Sequence, residues 1–419
     1  MSNQNITTLG AVADIITGPF GSMLHQSDYT PTGTPVIMPQ DIGNRTLNKS
    51  AIAYVGNKDA ERLSRYRVQE NDIVYARRGD VEKHAFIDKC DAGALCGTGC
   101  MRVRVDRSKA EPLYISFYLN RPESKRWISQ HAVGSNMPNL NTQILSEVPL
   151  ELPPLVEQAK AVEVLNYIDS KIRINAYICA ELETMAKTLY DYWFMQFDFP
   201  DENGYPYRTS GGEMVWNTRL KRELPKGWDC VSLERYIAIG NISVDPASLS
   251  NTIMEHYSIP AYDEGGYPAF ESAETIQSGK YRVHKDAILV SKLNPQFKRI
   301  WDPYCITENA ICSTEFMVYQ AKQKKIRPFC FALVNSDGFC QHMISKAISS
   351  TGSRKRIQPD VSLTYQFAAP DTESLLLLFS EIYQPIMDKL KNTRLENHEL
   401  TKLRDWLLPM LMNGQARVE

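Results

Sequence analysis

The stretch GPFGSMLHQSDY, residues 18 to 29, sets Ser22, His25 and Asp28 close together behind two glycines. Residues of these types suit a phosphate cradle, a hydroxyl nucleophile with its base, or a loop offering polar contacts to a larger ligand. The first needs a Gly-Lys-Ser or Gly-Lys-Thr to hold the terminal phosphates and magnesium, and none follows. The second lacks a G-x-S-x-G elbow around Ser22. A further candidate, LNPQF at Leu293, resembles the Asn-Pro-Pro-aromatic signature of amino-methyltransferases, but the second proline is missing and no glycine-rich strand-to-helix turn precedes it. The seven histidines stand singly, and the nine cysteines include no C-x-x-C pair. Cys96 and Cys100, the closest pair, read as buried or strand thiols, so neither a zinc cluster nor a disulfide framework is indicated. No catalytic or metal-binding constellation emerges, which leaves the third chemistry.

The elements that must position these residues are written twice. RYRVQENDIVYARRGD from Arg65 aligns without gaps with KYRVHKDAILVSKLNP from Lys280. At the same offset GCMRVRV from Gly99 meets TEFMVYQ from Thr314, and GSNMPNLN from Gly134 meets GSRKRIQP from Gly352. Alternating and β-branched runs bounded by Gly, Asn and Pro predict strands. Each half then ends in a long helix. Leu165, Ile168, Ile172, Asn175, Cys179, Leu182, Ala186, Leu189 and Trp193 follow a 3,4 spacing that draws one seam along a helix. The same register returns as Tyr383, Ile386, Leu390, Thr393, Asn397, Leu400, Arg404, Leu407 and Leu411. A seam repeated within one chain is most simply satisfied by the two helices packing on each other, antiparallel, with a mixed domain at either end. The first, from about Val156 to Phe194, would span about 58 Å. Pro385 should kink or delay the second. The fold expected is therefore α+β: two pseudo-repeated, strand-rich domains separated by two long helices packed as an antiparallel coiled coil.

A chain of 419 residues, 43% hydrophobic and 23% charged, is long enough for two or three domains. No run reaches the length of a membrane span, and MSNQNITT has neither the basic nor the apolar region of a signal peptide, so a cytoplasmic protein is expected. The net charge of -2 argues against a uniformly basic nucleic-acid binder. Its distribution argues differently: residues 278–358 carry fourteen Lys or Arg against five Asp or Glu, whereas residues 241–277 carry six acids and no Lys or Arg. One strongly basic face is the electrostatic footprint of phosphate-backbone binding.

GPFGSMLHQSDYTPTGTPVIMPQDI, then LPPLVEQAKAVEVLNYIDSKI running into LETMAKTLYDYWF, and LPKGWDCVSL at the start of the second half resemble the specificity subunit of type I restriction-modification systems. The likeness extends over essentially the whole chain, and the LPPLVEQ segment is its most specific part. The second helix departs from it, reading APDTESLLLLFSEIYQPIMDKL without Pro-Pro-Leu or Glu-Gln. The resemblance implies a non-catalytic DNA reader with target recognition domains at 1–154 and 228–370, spacer helices at 155–197 and 371–414, a linker at 198–227 and a tail at 415–419. It also implies two methyltransferase subunits docked on the helices and, through them, restriction subunits. S-adenosylmethionine, ATP and magnesium would be held by those partners and not by this chain. Two alternatives remain on the residues alone: the recognition subunit of a modification-only system, and a coiled-coil scaffold that binds proteins without DNA.

Base edges are read by Arg, Lys, Asn, Gln or acids on exposed loops, and phosphates by basic groups and backbone donors. The repeat points to the loop after DIVYA or AILVS and to the loop after the shared Gly-Ser. In the first half these offer Arg77, Arg78, Lys83, His84, Ser135, Asn136 and Asn139, joined by Gly21, Ser22 and His25 from the opening stretch. In the second they offer Lys292, Asn294, Gln296, Lys298, Arg299, Ser353, Arg354, Lys355, Arg356 and Gln358. GSRKR is expected to act as a phosphate clamp more than as a base reader. Gly18 and Gly21 are expected to be turn formers that let backbone approach DNA.

Overall fold

The computed structural model describes residues 5–134, 138–249, 251–351, 354–412 and 415–416. The chain divides into two compact units, one of residues 1–172 with 399–419 and one of residues 173–398. The fold is α+β, with many short strands and two long helices.

The first unit is built on a four-stranded antiparallel sheet in the order Ala13–Thr17, Cys100–Val105, Ile73–Ala76, His84–Phe86. Ile73–Ala76 is buried throughout, as its run of β-branched and aromatic residues requires of a strand covered on both faces. A second sheet runs Tyr29–Thr30, Ala53–Val55, Thr34–Ile37, Leu95–Cys96, and its last pair is parallel. Two helices follow, Pro112–Leu119 and Pro122–His131, each opened by a proline where the missing N–H costs nothing. Strand Pro149–Leu152 then pairs back onto Asn5–Thr8.

The second unit repeats this order. Its four-stranded antiparallel sheet runs Ile237–Ile239, Phe316–Ala321, Ala287–Ser291, Ile300–Trp301. A five-stranded sheet again contains a parallel pair, Ile253–Tyr257 with Ala310–Ser313. Helices Arg327–Asn335 and Asp337–Lys346 follow, the second capped by Ser336, whose Oγ accepts from Phe339 N at 3.3 Å. Strand Gln366–Pro370 closes back onto Trp228–Ser232.

The pairing corrects the repeat alignment by one residue. Tyr75 lies opposite Met101 and Val290 opposite Met317, so Met101 is equivalent to Met317 and not to Phe316. Side chains alternate faces along a strand, so a slip of one would turn every one of them to the wrong side.

The long helices run Leu155–Tyr190, extended by a π-turn at Asp191–Met195, and Ser374–Met412. Every seam residue, including Leu165, Ile168, Ile172, Leu182, Leu189, Ile386, Leu390, Leu400 and Leu407, is buried or half-buried. In the first unit Leu165 shares a core with Leu408, Leu411 and Met412, and Arg404 Nη1 meets Asp169 Oδ1 at 3.2 Å. In the second, Ala186, Tyr190, Trp193 and Phe194 pack with Phe379, Tyr383 and Met387, and Arg394 pairs with Glu183. The polar position Asn175, 1% exposed, donates its Nδ2 to Glu396 Oε2 at 2.8 Å. Pro385 does not delay the second helix, which begins eleven residues earlier. Pro385 and Glu381, whose carbonyl loses its helical partner, are both exposed, so the orphan acceptor lies on the solvent side of the helix.

Residues 198–227, expected as a linker, are packed and not loose. Phe199 stacks on Trp228 and Tyr207 at centroid distances of 5.2 and 4.8 Å, and Leu224 enters the core of the second unit.

Candidate nucleic-acid interface

In each unit the two loop classes singled out by sequence emerge at one end of the four-stranded sheet and are joined there by backbone hydrogen bonds. In the first, Ala76 is the last residue of its strand, opposite Cys100, and Arg77 N donates to Gly99 O at 2.7 Å. Arg78 then bridges Asn139, with Leu140 N on Arg77 O at 2.9 Å and Arg77 Nε on Leu140 O at 3.2 Å. The 18–25 loop leaves the same end, since Gly18 N donates to Cys100 O at 2.9 Å. Gly21, Ser22 and His25 on that loop are exposed, as are Phe20 and Arg78.

The second unit makes the same joint from different residues. Ser291 lies opposite Phe316, and Lys292 N donates to Glu315 O at 2.9 Å. Leu293 bridges Arg356, and Ile357 N reaches Lys292 O at 3.1 Å. Position 139 is thus equivalent to position 356: an Asn in one unit and an Arg in the other. Asn294 adopts a left-handed φ of 48°, which Asn tolerates, and its Oδ1 accepts from Lys355 N at 2.9 Å. Its side-chain carbonyl is therefore spent on tying the loops together.

Around this joint Gln296, Arg354, Lys355 and Gln358 are exposed and Lys292 is half-buried. Glu315 lies among them, and Arg356 grips it with Nη2 on Oε1 at 2.7 Å and Nε on Oε2 at 3.1 Å. The hydrogen bonds from Arg356 hold the Glu315 carboxyl below the usual carboxylate range, burial opposes this, and the charges of Lys292 and Arg354 add to it. Sequence reasoning missed Glu315 because it falls in the turn between two strands; the one-residue slip in the alignment also set it against Cys100 instead of Gly99.

Several predicted site residues do other work. His84 is 1% exposed, stacked on Tyr75 at 5.0 Å, with Nε2 against Ser116 Oγ at 3.1 Å, so it belongs to the core and does not face a ligand. Burial, then the charges of Arg45 and Lys125, push its imidazole down to about 3, with a hydrogen bond to Ser116 opposing. Arg299 is clamped side-on by Asp263, both bonds 2.7 Å, and its side chain is 13% exposed. Lys298 Nζ donates to the carbonyl of Asn335, the last residue of helix Arg327–Asn335, at 2.6 Å. Lys83 pairs with Asp80 at 2.7 Å on the surface, a contact too weak to hold it from another anion. Asn139 turns its Oδ1 inward, buried and without a hydrogen-bond partner among the described residues. Gly18 is needed for a different approach from the one expected: a Cβ there would lie 2.1 Å from Gly97 O, so the glycine lets two protein backbones meet. Gly21 has nothing within 4 Å of a Cβ. Ser135, Asn136 and Ser353 lie outside the described residues.

Among the described residues no group of three or more His, Cys, Asp or Glu is placed to hold a metal ion, and burial raises the Cys96 thiol to about 12, far from nucleophilic use at neutral pH. No described helix is long and apolar enough to cross a membrane.

Known proteins with similar sequence and fold bear on what such loop joints do. Residues 1–184 match the type I restriction modification DNA specificity domain. The type I restriction enzyme MjaIX specificity subunit of Methanocaldococcus jannaschii is 23% identical over 315 residues, covering 73% of this chain and 69% of that protein. The HindI specificity subunit of Haemophilus influenzae is 23% identical over 168 residues, 39% of this chain and 37% of that one. A crystal structure of the type I restriction-modification S subunit from M. genitalium shares the fold, with a TM-score of 0.64 at 15% identity over 98% of this chain and 96% of that one. The first part of the chain thus resembles the type I restriction modification DNA specificity domain, and the relatives it matches are specificity subunits of type I restriction enzymes.

Proposed function

We propose that this chain reads a split DNA target, one half-site per unit, and carries that specificity to two methyltransferase subunits and, through them, to restriction subunits. The observation that carries this reading is the pair of equivalent loop joints, Arg78 with Asn139 and Leu293 with Arg356, which set different chemistry on one backbone plan. Two unrelated half-sites call for such divergence, while two identical partner subunits call for the shared framework. In this reading the recognition domains span 1–154 and 228–370, and the long helices act as an antiparallel coiled coil that fixes the unread gap between half-sites. The inward seams and the Asp169–Arg404 and Glu183–Arg394 pairs within the two units support that role. S-adenosylmethionine, ATP and magnesium act on the partner subunits, in the cytoplasm, and none is needed by this chain.

Contacts divide by chemistry. Arg78, Lys83, Lys292, Arg354 and Lys355 suit phosphates, whereas Ser22, His25, Gln296 and Gln358 are exposed groups suited to base edges or sugar. The test is a map of methylated adenines in cells expressing the chain with its methyltransferase subunit. A motif of two dissimilar halves around a fixed unread gap is expected; a continuous motif, or methylation unchanged when the chain is deleted, refutes the reading.

A further inference from the structure

Within the basic loop of the second unit, the residues differ in how firmly they are held. Arg354 and Lys355 extend into solvent, whereas the Arg356 guanidinium is fixed side-on against Glu315 through Nε and Nη2. A guanidinium carries five donors in a planar fork. The Glu315 contact uses the Nε edge and leaves the Nη1–Nη2 end with no protein partner among the described residues, on a side chain 38% exposed. That end presents two parallel donors, the pattern that matches O6 and N7 of guanine in the major groove. Other side-on arginines lack this combination. Arg299 is 13% exposed, Arg62 spends Nη1 on Met23 O, and Arg104 turns Nη2 to Arg67 O as well as Asp72.

We propose that Arg356 is a specificity-determining residue that reads one guanine in the half-site of the second unit, with Glu315 as the positioning residue that holds its fork in place. The assignment rests on the DNA-reading function proposed above. It departs from the expectation that the whole GSRKR segment clamps phosphate: Arg354 and Lys355 retain that role, and Arg356 does not. Holding the guanidinium before binding removes rotamer entropy that a free arginine would lose at the interface. The acid also repels phosphate oxygens at close range, which disfavours a backbone contact by the same guanidinium.

The experiment uses the chain assembled with its methyltransferase subunits and duplexes that differ from the methylated motif by one base pair at a time. Arg356→Lys keeps the charge and loses the fork. It should lower discrimination at one G·C pair of one half-site by about tenfold to a hundredfold while leaving the other half-site and the gap unchanged. Glu315→Gln, which keeps Arg356 and the shape of its support, should relax the same base pair by a smaller factor. Lys355→Ala should weaken binding equally on every sequence. The inference is overturned if Arg356→Lys weakens all duplexes alike, if the relaxed pair is A·T, or if Glu315→Gln relaxes a different position. Failure of the wild-type complex to prefer any sequence would instead overturn the function on which the inference rests, and that result is visible before any variant is made.

Discussion

His84 stands where the sequence repeat places a DNA contact, and the fold buries it, so its titration distinguishes the two roles. The unfolded imidazole takes up a proton near pH 6.5, whereas the folded one stays neutral until about pH 3. A folded pKa below the unfolded one for a base means that acid favours the unfolded chain: stability is intact above about pH 6.5 and falls steadily as pH drops toward 3. At pH 5 the unfolded group lies 1.5 units below its midpoint, which costs about 2 kcal/mol at 1.36 kcal/mol per unit. That figure depends only on the unfolded value as long as the folded group is still neutral at pH 5. Urea unfolding at pH 7.5 and 5 should show the wild type losing about 2 kcal/mol more than His84→Gln, which has no titrating ring. Hydrogen exchange at the amides of Ile73–Ala76, the strand paired with His84–Phe86, reports the same difference within the first unit. Equal pH losses in the two proteins, or a DNA affinity at pH 7.5 that collapses in the variant while its stability holds, would refute the buried role.

The remaining expectations concern packing and spacing. Gly18→Ala sets a methyl 2.1 Å from one backbone oxygen and 2.9 Å from another, so it should cost about 1–3 kcal/mol in urea unfolding, whereas Gly21→Ala, in open space, should stay within about 0.5 kcal/mol. One heptad inserted into both long helices lengthens them by about 10 Å, or about three base pairs, and should widen the methylated gap by that amount while both half-sites stay the same. An unchanged gap in the methylation map would show that the helices are not the ruler.

The strands and both long helices are legible in the sequence, because each is a local pattern: a buried run such as DIVYA or AILVS, and a seam spaced three and four residues apart. The loops that follow those strands are legible with them. How the side chains of those loops are partnered depends on contacts that form only in the folded chain. Strand register hangs on a single residue, and pairing across the sheet moved Met317 opposite Val290 and Glu315 beside Arg356. Burial and partners likewise come from distant segments: Ser116 and Arg45 enclose His84, Asp263 takes up Arg299, and Gly97 explains Gly18. A charged or polar side chain in a sequence announces only its donors and acceptors. Whether they remain free for DNA depends on which of them the folded chain has already satisfied, and that is settled by contacts tens of residues away.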